Sequence, residues 1–195
     1  YCELRDSEGK SFYLKQGCSR KWMNESSDER GSSGINILWP ALNNPHFIQA
    51  LDAANDGESP NNISPIIKYA LNGGATILWM GDLETDFMES IKGSLDLPKV
   101  NILFAPHHGR DTGTVPVELL EAMNPDVIII GEADSKHLNY YDGYNTITQN
   151  SAGDIILECT SKKVHIYVGS ETYSVDFLND EAMTEYDNYI GTLNL

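Results

Sequence analysis

The stretch ATILWMGDLETDFMESIKGSLDLPKVNILFAPHHGRD, residues 75–111, contains two apolar runs separated by an amphipathic segment. The runs ATILWM and VNILF lack the alternation of a half-exposed strand, which predicts strands that are covered on both faces. The segment between them, LETDFMESIKG, has a helical apolar spacing at Leu83, Phe87 and Ile91 and ends at Gly93. This order of strand, helix and strand predicts an α/β layered domain.

Predicted hairpins flank this central unit on both sides, which indicates a mixed sheet. The NGG turn joins ISPIIKYAL to the first apolar run, and the SKK turn joins DIILECT to VHIYV near the other end. Two further hairpins are predicted, one from YCEL to SFYLK within residues 1–15 and one from VHIYV through GSE to TYSVDFL, residues 172–178.

The remaining segments complete one predicted domain over residues 1–180. Further strands are predicted in INILWP (35–40) and DVIIIGE (126–132), and helices in PHFIQALDAAN (45–55), PVELLEAMN (116–124) and around YNTITQN (144–150). Residues 16–34 are polar, rich in Gly and Ser and without period, which predicts a loop. The acidic segment 181–195 is expected to be a tail, either loose or a terminal helix.

The composition limits the kinds of partner that the chain can bind. Asp and Glu number 29 against 13 Lys and Arg, a formal net charge of −16, so the surface repels phosphate backbones at long range. Nucleic-acid binding would therefore need a local basic or metal-bearing patch. No apolar run approaches the ~20 residues of a membrane span. Three cysteines without CxxC spacing favour reduced thiols and a cytoplasmic setting, with a pairing of Cys2 and Cys18 as the alternative.

Polar side chains follow three of the predicted strands, where α/β sheets collect their functional groups. These groups are Asp82 after strand 75–80, then His107, His108, Arg110 and Asp111 after strand 100–104, and Glu132, Asp134 and His137 after strand 126–130. Imidazole nitrogen and carboxylate oxygen are the ligands that suit zinc, manganese or iron in open catalytic sites. If the three strands are neighbours, the sequence predicts a metal-binding crevice at their carboxyl ends.

Each of these groups also has a structural interpretation. A Gly-Asp pair after a strand is often a helix N-cap, and Asp82 directly precedes the predicted helix. Adjacent histidines point in roughly opposite directions, so at most one of His107 and His108 is expected to bind any one ion. His46 is expected to be a surface or cap residue, and His165 a structural residue of a late strand.

Four segments in order resemble a known family: NNISPIIKYALNGGATILWMGDLE, VNILFAPHHGRDTGT, NPDVIIIGEADSKH and GDIILECTSKKVHIYV. Together, over about residues 35–170, they resemble the C-terminal half of a metallo-β-lactamase-fold hydrolase. The nearest branch holds the hydrolase domain of ComEC-type competence proteins and the phosphorylcholine esterases. The resemblance implies a four-layer αββα sandwich, of which this chain holds mainly the C-terminal half. It also implies phosphodiester cleavage, as a nuclease or a phosphoesterase, by a hydroxide that two metal ions activate.

The resemblance further implies roles for individual residues. Asp82 corresponds to the carboxylate that bridges two divalent ions, zinc or alternatively manganese, and His108 corresponds to the late histidine ligand. His107 would then support the ligands or contact the phosphate. The family's Asn pair and serine correspond to Asn61, Asn62 and Ser64, and the two asparagines are expected to stabilise the loop that enters the next strand.

Three departures from the family pattern are visible. The HxHxDH metal motif is absent from these 195 residues, and two ligands are too few for a stable binuclear site. The missing ligands are therefore expected from an N-terminal half upstream of Tyr1 or from a partner subunit. Arg110 replaces a small serine, where it would clamp a phosphate or pair with Asp111 or Glu132. His137 would take the place of the histidine in the family's YGHP loop, at shifted spacing.

The sequence thus predicts a metal-dependent hydrolase, conditional on ligands from outside this segment. Its expected substrate is a phosphodiester, either in nucleic acid or in a small molecule, and this segment is expected to make no membrane contact. The alternative is a degenerate, non-catalytic scaffold domain of the same fold in a larger assembly, which the missing motif and the acidic surface favour. A binding module without any metal is a third interpretation.

Overall fold

The computed structural model describes residues 3, 7–9, 11–28 and 31–195. Six strands form a mixed sheet, called the large sheet, in which the spatial order follows the sequence order. They are β1 (Ile35–Trp39), β2 (Ile66–Ala70), β3 (Thr76–Trp79), β4 (Ile102–Phe104), β5 (Val127–Ile130) and β6 (Thr146–Thr148). β1, β2 and β3 pair antiparallel, whereas β3, β4, β5 and β6 pair parallel. The predicted α/β class, the mixed sheet and the hairpin at NGG are confirmed.

A second, antiparallel sheet, called the small sheet, contains β7 (Ile155–Thr160), β8 (Lys163–Val168) and β9 (Tyr189–Asn194). β7 and β8 form the hairpin that the SKK turn predicts, with Ile155 opposite Val168. β9 pairs with the other edge of β8.

In the described part of the chain from Ile35 onward, four α-helices connect the strands: α1 (Pro45–Asn55), α2 (Thr85–Ile91), α3 (Val117–Met123) and α4 (Gln149–Ala152). α1 begins after Asn44, whose side-chain oxygen accepts hydrogen bonds from the backbone N–H groups of His46 and Phe47. Short 3₁₀ turns at Pro106–Gly109, Asp111–Gly113 and Ser135–His137 follow β4 and β5. Phe47 of α1 is buried, whereas Leu51, one turn later, is 37% exposed.

The two faces of the large sheet bury different layers. Because side chains alternate along a strand, Leu78, Leu103 and Ile128 pack against the helices, and their neighbours Ile77, Ile102 and Ile129 pack against the small sheet. The central strands are therefore apolar on both faces, which explains why the runs ATILWM, VNILF and DVIII do not alternate.

The prediction for the C-terminal part of the chain is wrong in two places. Residues 172–178, predicted as a strand, pair with no strand, although Tyr173, Val175 and Phe177 do pack against the core between the sheets. Residues 189–194, predicted as part of a loose or helical tail, form β9 instead. An alternation of apolar and polar residues indicates that one side of a segment is buried, but not that a strand pairs with it. The pattern therefore cannot show which of the two segments pairs with the edge of β8.

The N-terminal hairpin is only partly testable. The strand predicted at residues 1–4 falls almost wholly outside the described residues, and so does Cys2. The strand predicted at residues 11–15 is wrong, because that segment is exposed and has no strand pairing. The described residues of the predicted loop 16–34 contain neither helix nor strand. In the part of the chain that the structure covers, none of the helices has the length and apolarity that crossing a bilayer requires.

Candidate functional site

The carboxyl ends of β3, β4 and β5 meet at one edge of the large sheet, because these neighbouring strands are parallel. A pocket of about 270 Å³ opens there. Its lining residues are Trp79, Met80, Gly81, Asp82, Phe104, Ala105, His108, Ile129, Gly131 and Gln149. The two predicted metal ligands, Asp82 and His108, thus line one pocket although 26 positions separate them in sequence (108 − 82).

Asp82 is half-buried and its carboxylate makes no hydrogen bond or ion pair within the described residues. Its backbone N–H donates to Ser64 Oγ at 3.1 Å, which fixes the loop but leaves the side chain free. The N-cap interpretation is wrong, because α2 is capped at Glu84 and no side chain bonds to that helix end. A half-buried carboxylate without a partner loses hydration and gains nothing within the protein, so it is suited to bind a cation.

Glu84 is the residue that anchors the Asp82 loop, and sequence reasoning missed it. Its two carboxylate oxygens accept hydrogen bonds from Asn61 Nδ2 and Asn62 Nδ2, each at 3.1 Å. Its backbone N–H donates to Asn62 Oδ1 at 3.0 Å. The Asn pair therefore holds the loop that leaves β3, not only the loop that enters β2. Glu84 stands in the GDLE sequence that follows β3, but nothing local to that sequence indicates its bonds to Asn61 and Asn62.

We expect Glu84→Ala to lower the free energy of unfolding by about 1–3 kcal/mol, because two half-buried amides lose their acceptors. The same variant should weaken any metal binding by Asp82, whose loop it releases. Urea denaturation measures the first effect. Glu121→Ala, an exposed glutamate of α3 with no recorded partner, is the matched control and should change stability by less than about 0.5 kcal/mol. Equal stability of the two variants would contradict the anchoring role.

His107 and His108 both adopt the left-handed backbone conformation, with φ of 48° and 58°, and Gly109 follows at 76°. Such a conformation costs a non-glycine residue roughly 1–2 kcal/mol, and strain of this kind concentrates at functional sites. His107 is engaged, because its backbone N–H donates to Gly81 O at 2.9 Å and its Nδ1 lies 3.0 Å from Thr112 Oγ1. His108 is exposed, and its ring has no hydrogen-bond partner among the residues the structure describes. Of the two histidines, His108 is the one free to bind a ligand.

Gly131, at the end of β5, makes room for His108. A Cβ at this glycine would lie 2.8 Å from His108 Nδ1 and 3.2 Å from its Cα. The close approach therefore requires glycine at this position. This spatial requirement is invisible in the sequence.

Arg110 lines a second pocket, of about 610 Å³, which shares His108 with the first. Its lining residues are His108, Arg110, Glu132, Ala133, Asp134, Ser135 and Asn150. The predicted alternative of a salt bridge from Arg110 to Asp111 or Glu132 is wrong, since the structure records no such ion pair in its described residues. Asn150 fixes the part of this pocket formed by Ala133. Its Oδ1 accepts a hydrogen bond from Ala133 N at 2.9 Å, and its Nδ2 donates one to Ala133 O. Asn150 and Gln149 were not predicted as site residues.

His137 lines neither of these two pockets. Its ring is buried beside Tyr140, with centroids 5.8 Å apart, and its Nδ1 lies 3.8 Å from Asp111 Oδ1. His137 therefore does not share a pocket with Asp82 and His108, and its catalytic role stays a prediction. His165, expected to be structural, is buried in the small sheet with Nδ1 2.7 Å from Thr192 Oγ1.

Tyr141 holds the segment that follows the loop of His107 and His108. Its hydroxyl lies 3.4 Å both from Gly113 O, to which it donates, and from Val115 N, from which it accepts. Burial raises the pKa of Tyr141 to about 12, against which the hydrogen bond from Val115 acts in the lowering direction. The neutral phenol is thus the form that the fold requires.

The raised pKa of Tyr141 predicts a loss of stability at alkaline pH. Tyr141 makes its full contribution to the free energy of unfolding below a pH of about 10, the pKa of tyrosine in the unfolded chain. This contribution is lost as the pH rises through the pKa of Tyr141 in the folded chain, by roughly 2–3 kcal/mol in total. Urea denaturation at pH 9 and pH 11 should therefore give a smaller pH-dependent loss for Tyr141→Phe than for the wild-type chain. Tyr13→Phe, at a tyrosine that is 78% exposed, should behave as the wild type. Identical losses in all three chains would contradict this assignment.

The donor set fits a metal ion only in part. Asp82 and His108 are the oxygen and nitrogen donors that zinc and manganese use. Among the described ranges, no cluster of three or more His, Cys, Asp or Glu residues is arranged to hold an ion.

Comparison with known proteins adds no relative: no protein-family model, no curated protein and no solved structure matches this chain.

Proposed function

We propose that this chain forms the C-terminal half of a metallo-β-lactamase-fold hydrolase that cleaves phosphodiester bonds. One observation carries the proposal: the unpaired carboxylate of Asp82 and the strained, unpaired imidazole of His108 line the same pocket at the carboxyl ends of β3 and β4. Core packing does not account for either side chain, because neither contributes to the buried clusters.

Asp82 and His108 would hold divalent ions, zinc or manganese, in this pocket. Such ions supply Lewis acidity toward a phosphoryl oxygen and a hydroxide nucleophile near neutral pH. His107 holds the loop geometry through Gly81 and Thr112. Arg110, free of any recorded ion pair, is available to bind the phosphate bidentately and to stabilise its developing charge.

The charges around the pocket favour a small phosphodiester over nucleic acid. Arg110 is the cation that lines the second pocket, and Glu132 and Asp134 line it as well. With a net charge of −16, the protein would repel the flanking phosphates of a long polyanion. A nucleic-acid substrate would therefore need a basic partner to guide it.

A further polypeptide segment would complete the site and the four-layer αββα sandwich. Trp79 and Phe104 stack with ring centroids 4.9 Å apart beside the pocket, and neither residue is fully buried. β7 is an edge strand of the small sheet, and its Ile156 is 44% exposed. A covering segment from the same gene product or from a partner subunit would bury these groups and bring the HxHxDH ligands.

The second candidate function is a non-catalytic scaffold of the same fold. It is favoured by the donor count, since Asp82 and His108 are two ligands where a binuclear site needs more. On this interpretation the same open face binds an assembly partner, and no metal enters the pocket.

The test is hydrolysis of bis(p-nitrophenyl) phosphate by the full-length gene product with zinc or manganese, compared with its Asp82→Ala and His108→Ala variants. The hydrolase predicts metal-dependent turnover that falls at least about 100-fold in each variant. The scaffold predicts no turnover and no bound metal in any of the three. Equal metal content and turnover in all three proteins would overturn the assignment of both residues.

A further inference from the structure

His137 combines burial with an unsatisfied ring nitrogen. The residue is 8% exposed, and its Nδ1 has no hydrogen-bond partner in the described part of the chain. A buried polar atom without a partner is costly, and native structures keep such atoms rarely and for a reason. Asp111 Oδ1 lies 3.8 Å from this nitrogen.

Asp111 and His137 do not line the Arg110 pocket themselves, but each lies next to a residue or turn that does. Asp111 directly follows Arg110, and His137 ends the 3₁₀ turn that begins at Ser135. Arg110 and Ser135 both line the 610 Å³ pocket. A contact between Asp111 and His137 would therefore tie together the two segments that contribute Arg110 and Ser135 to the pocket.

Asp111 closely follows the strained loop that His107, His108 and Gly109 form. His107 and His108 lie four and three positions before Asp111, respectively, both at positive φ. Asp111 Oδ1 already accepts from Thr112 N at 2.9 Å, so the carboxylate is oriented. A charge-assisted N–H···O bond has a length of about 2.7–2.9 Å, so a closure of about 1 Å would make the bond to His137.

We propose that His137 is a positioning residue, not a catalytic one: its Nδ1–H bonds to Asp111 and clamps the loop that carries His108 and Arg110 against the 135–137 turn. The clamp narrows the Arg110 pocket around a bound phosphate group. This proposal rests on the proposed function only for the identity of the ligand, a phosphate group. The clamp itself is a property of this chain and requires neither metal nor turnover.

The first measurement is the tautomer of His137, from the imidazole ¹⁵N spectrum of the labelled chain with saturating inorganic phosphate. The clamp predicts the Nδ1–H tautomer in the wild type and a shift toward the Nε2–H tautomer in Asp111→Ala. Asp134→Ala removes an exposed carboxylate that lines the same pocket and should leave the tautomer unchanged.

The second measurement is the affinity for inorganic phosphate. His137→Phe keeps an aromatic ring beside Tyr140 but removes Nδ1, and it should weaken phosphate binding about tenfold, as should Asp111→Ala. The double variant should be no weaker than either single variant, because both changes break one interaction. If His137 were purely structural, its substitution would instead shift the melting temperature, and the folded variants would bind phosphate as tightly as the wild type.

These outcomes separate the clamp from the hydrolase. An Nε2–H tautomer in the wild-type chain that Asp111→Ala leaves unchanged overturns the clamp, whatever the catalytic tests show. An Asp111-dependent Nδ1–H tautomer in a protein that neither binds zinc nor hydrolyses phosphodiesters supports the clamp and removes the proposed function.

Discussion

In the full-length gene product, Asp82→Ala is expected to lower the affinity for Zn²⁺ by a factor of about 100 or more without unfolding the protein. Removal of a residue that merely supports a ligand costs about 10–100-fold, so removal of the ligand itself should cost at least as much. The fold should survive, because the Asp82 carboxylate makes no recorded bond and the loop is held through Ser64 and Glu84. Isothermal titration with zinc measures the affinity, and circular dichroism verifies the fold.

Asp86→Ala is the matched control for this variant. Asp86 is an exposed aspartate in the first turn of α2, four positions after Asp82, and it lies outside the candidate metal pocket. It should retain the zinc affinity of the wild type and lose only the small helix-dipole contribution, about 0.3–1 kcal/mol. If Asp82→Ala binds zinc as tightly as Asp86→Ala does, Asp82 is not a ligand.

His108→Gly is expected to abolish zinc binding and at the same time to stabilise the protein slightly. The imidazole is lost as a ligand, but glycine adopts the φ of 58° without strain. The relieved strain of roughly 1–2 kcal/mol is partly offset by the larger entropy of glycine in the unfolded chain, about 0.5–1 kcal/mol. The free energy of unfolding should therefore rise by up to about 1.5 kcal/mol, as urea denaturation would measure.

His108→Ala separates the two effects. Alanine removes the imidazole but keeps the strain, so zinc binding should be lost without any gain in stability. A decrease of more than about 1 kcal/mol in the glycine variant would identify His108 as a packing residue and argue against a functional site. Opposite changes in stability and binding are expected where strain is retained for function.

Much of the architecture could be predicted from local patterns. The NGG turn, the helical spacing of residues 83–93 and the unbroken apolar runs correctly gave the β2–β3 hairpin, α2 and the doubly covered strands. The convergence of Asp82 with His108 also followed, because neighbouring parallel strands end at the same edge. These predictions succeeded because each depends on interactions within a few residues or on a general rule of sheet geometry.

Other features depend on contacts between distant segments. The sequence could not show that β9, and not residues 172–178, pairs with β8. Both segments carry apolar residues suited to the same core, and only the strand pairing distinguishes them. Glu84 was missed because its partners, Asn61 and Asn62, lie more than 20 positions away.

The α/β class, the mixed sheet and the strand ends at which chemistry is possible all followed from patterns in the sequence. Which side chains are free at those strand ends became visible only in the folded chain. Within the described residues, Asp82 does not cap the helix, His108 has no hydrogen-bond partner, and His137 lies outside the pocket, 3.8 Å from Asp111. The physical reason is that periodicity records which face of an element is buried, whereas the availability of a side chain depends on the hydrogen bonds that distant residues offer it.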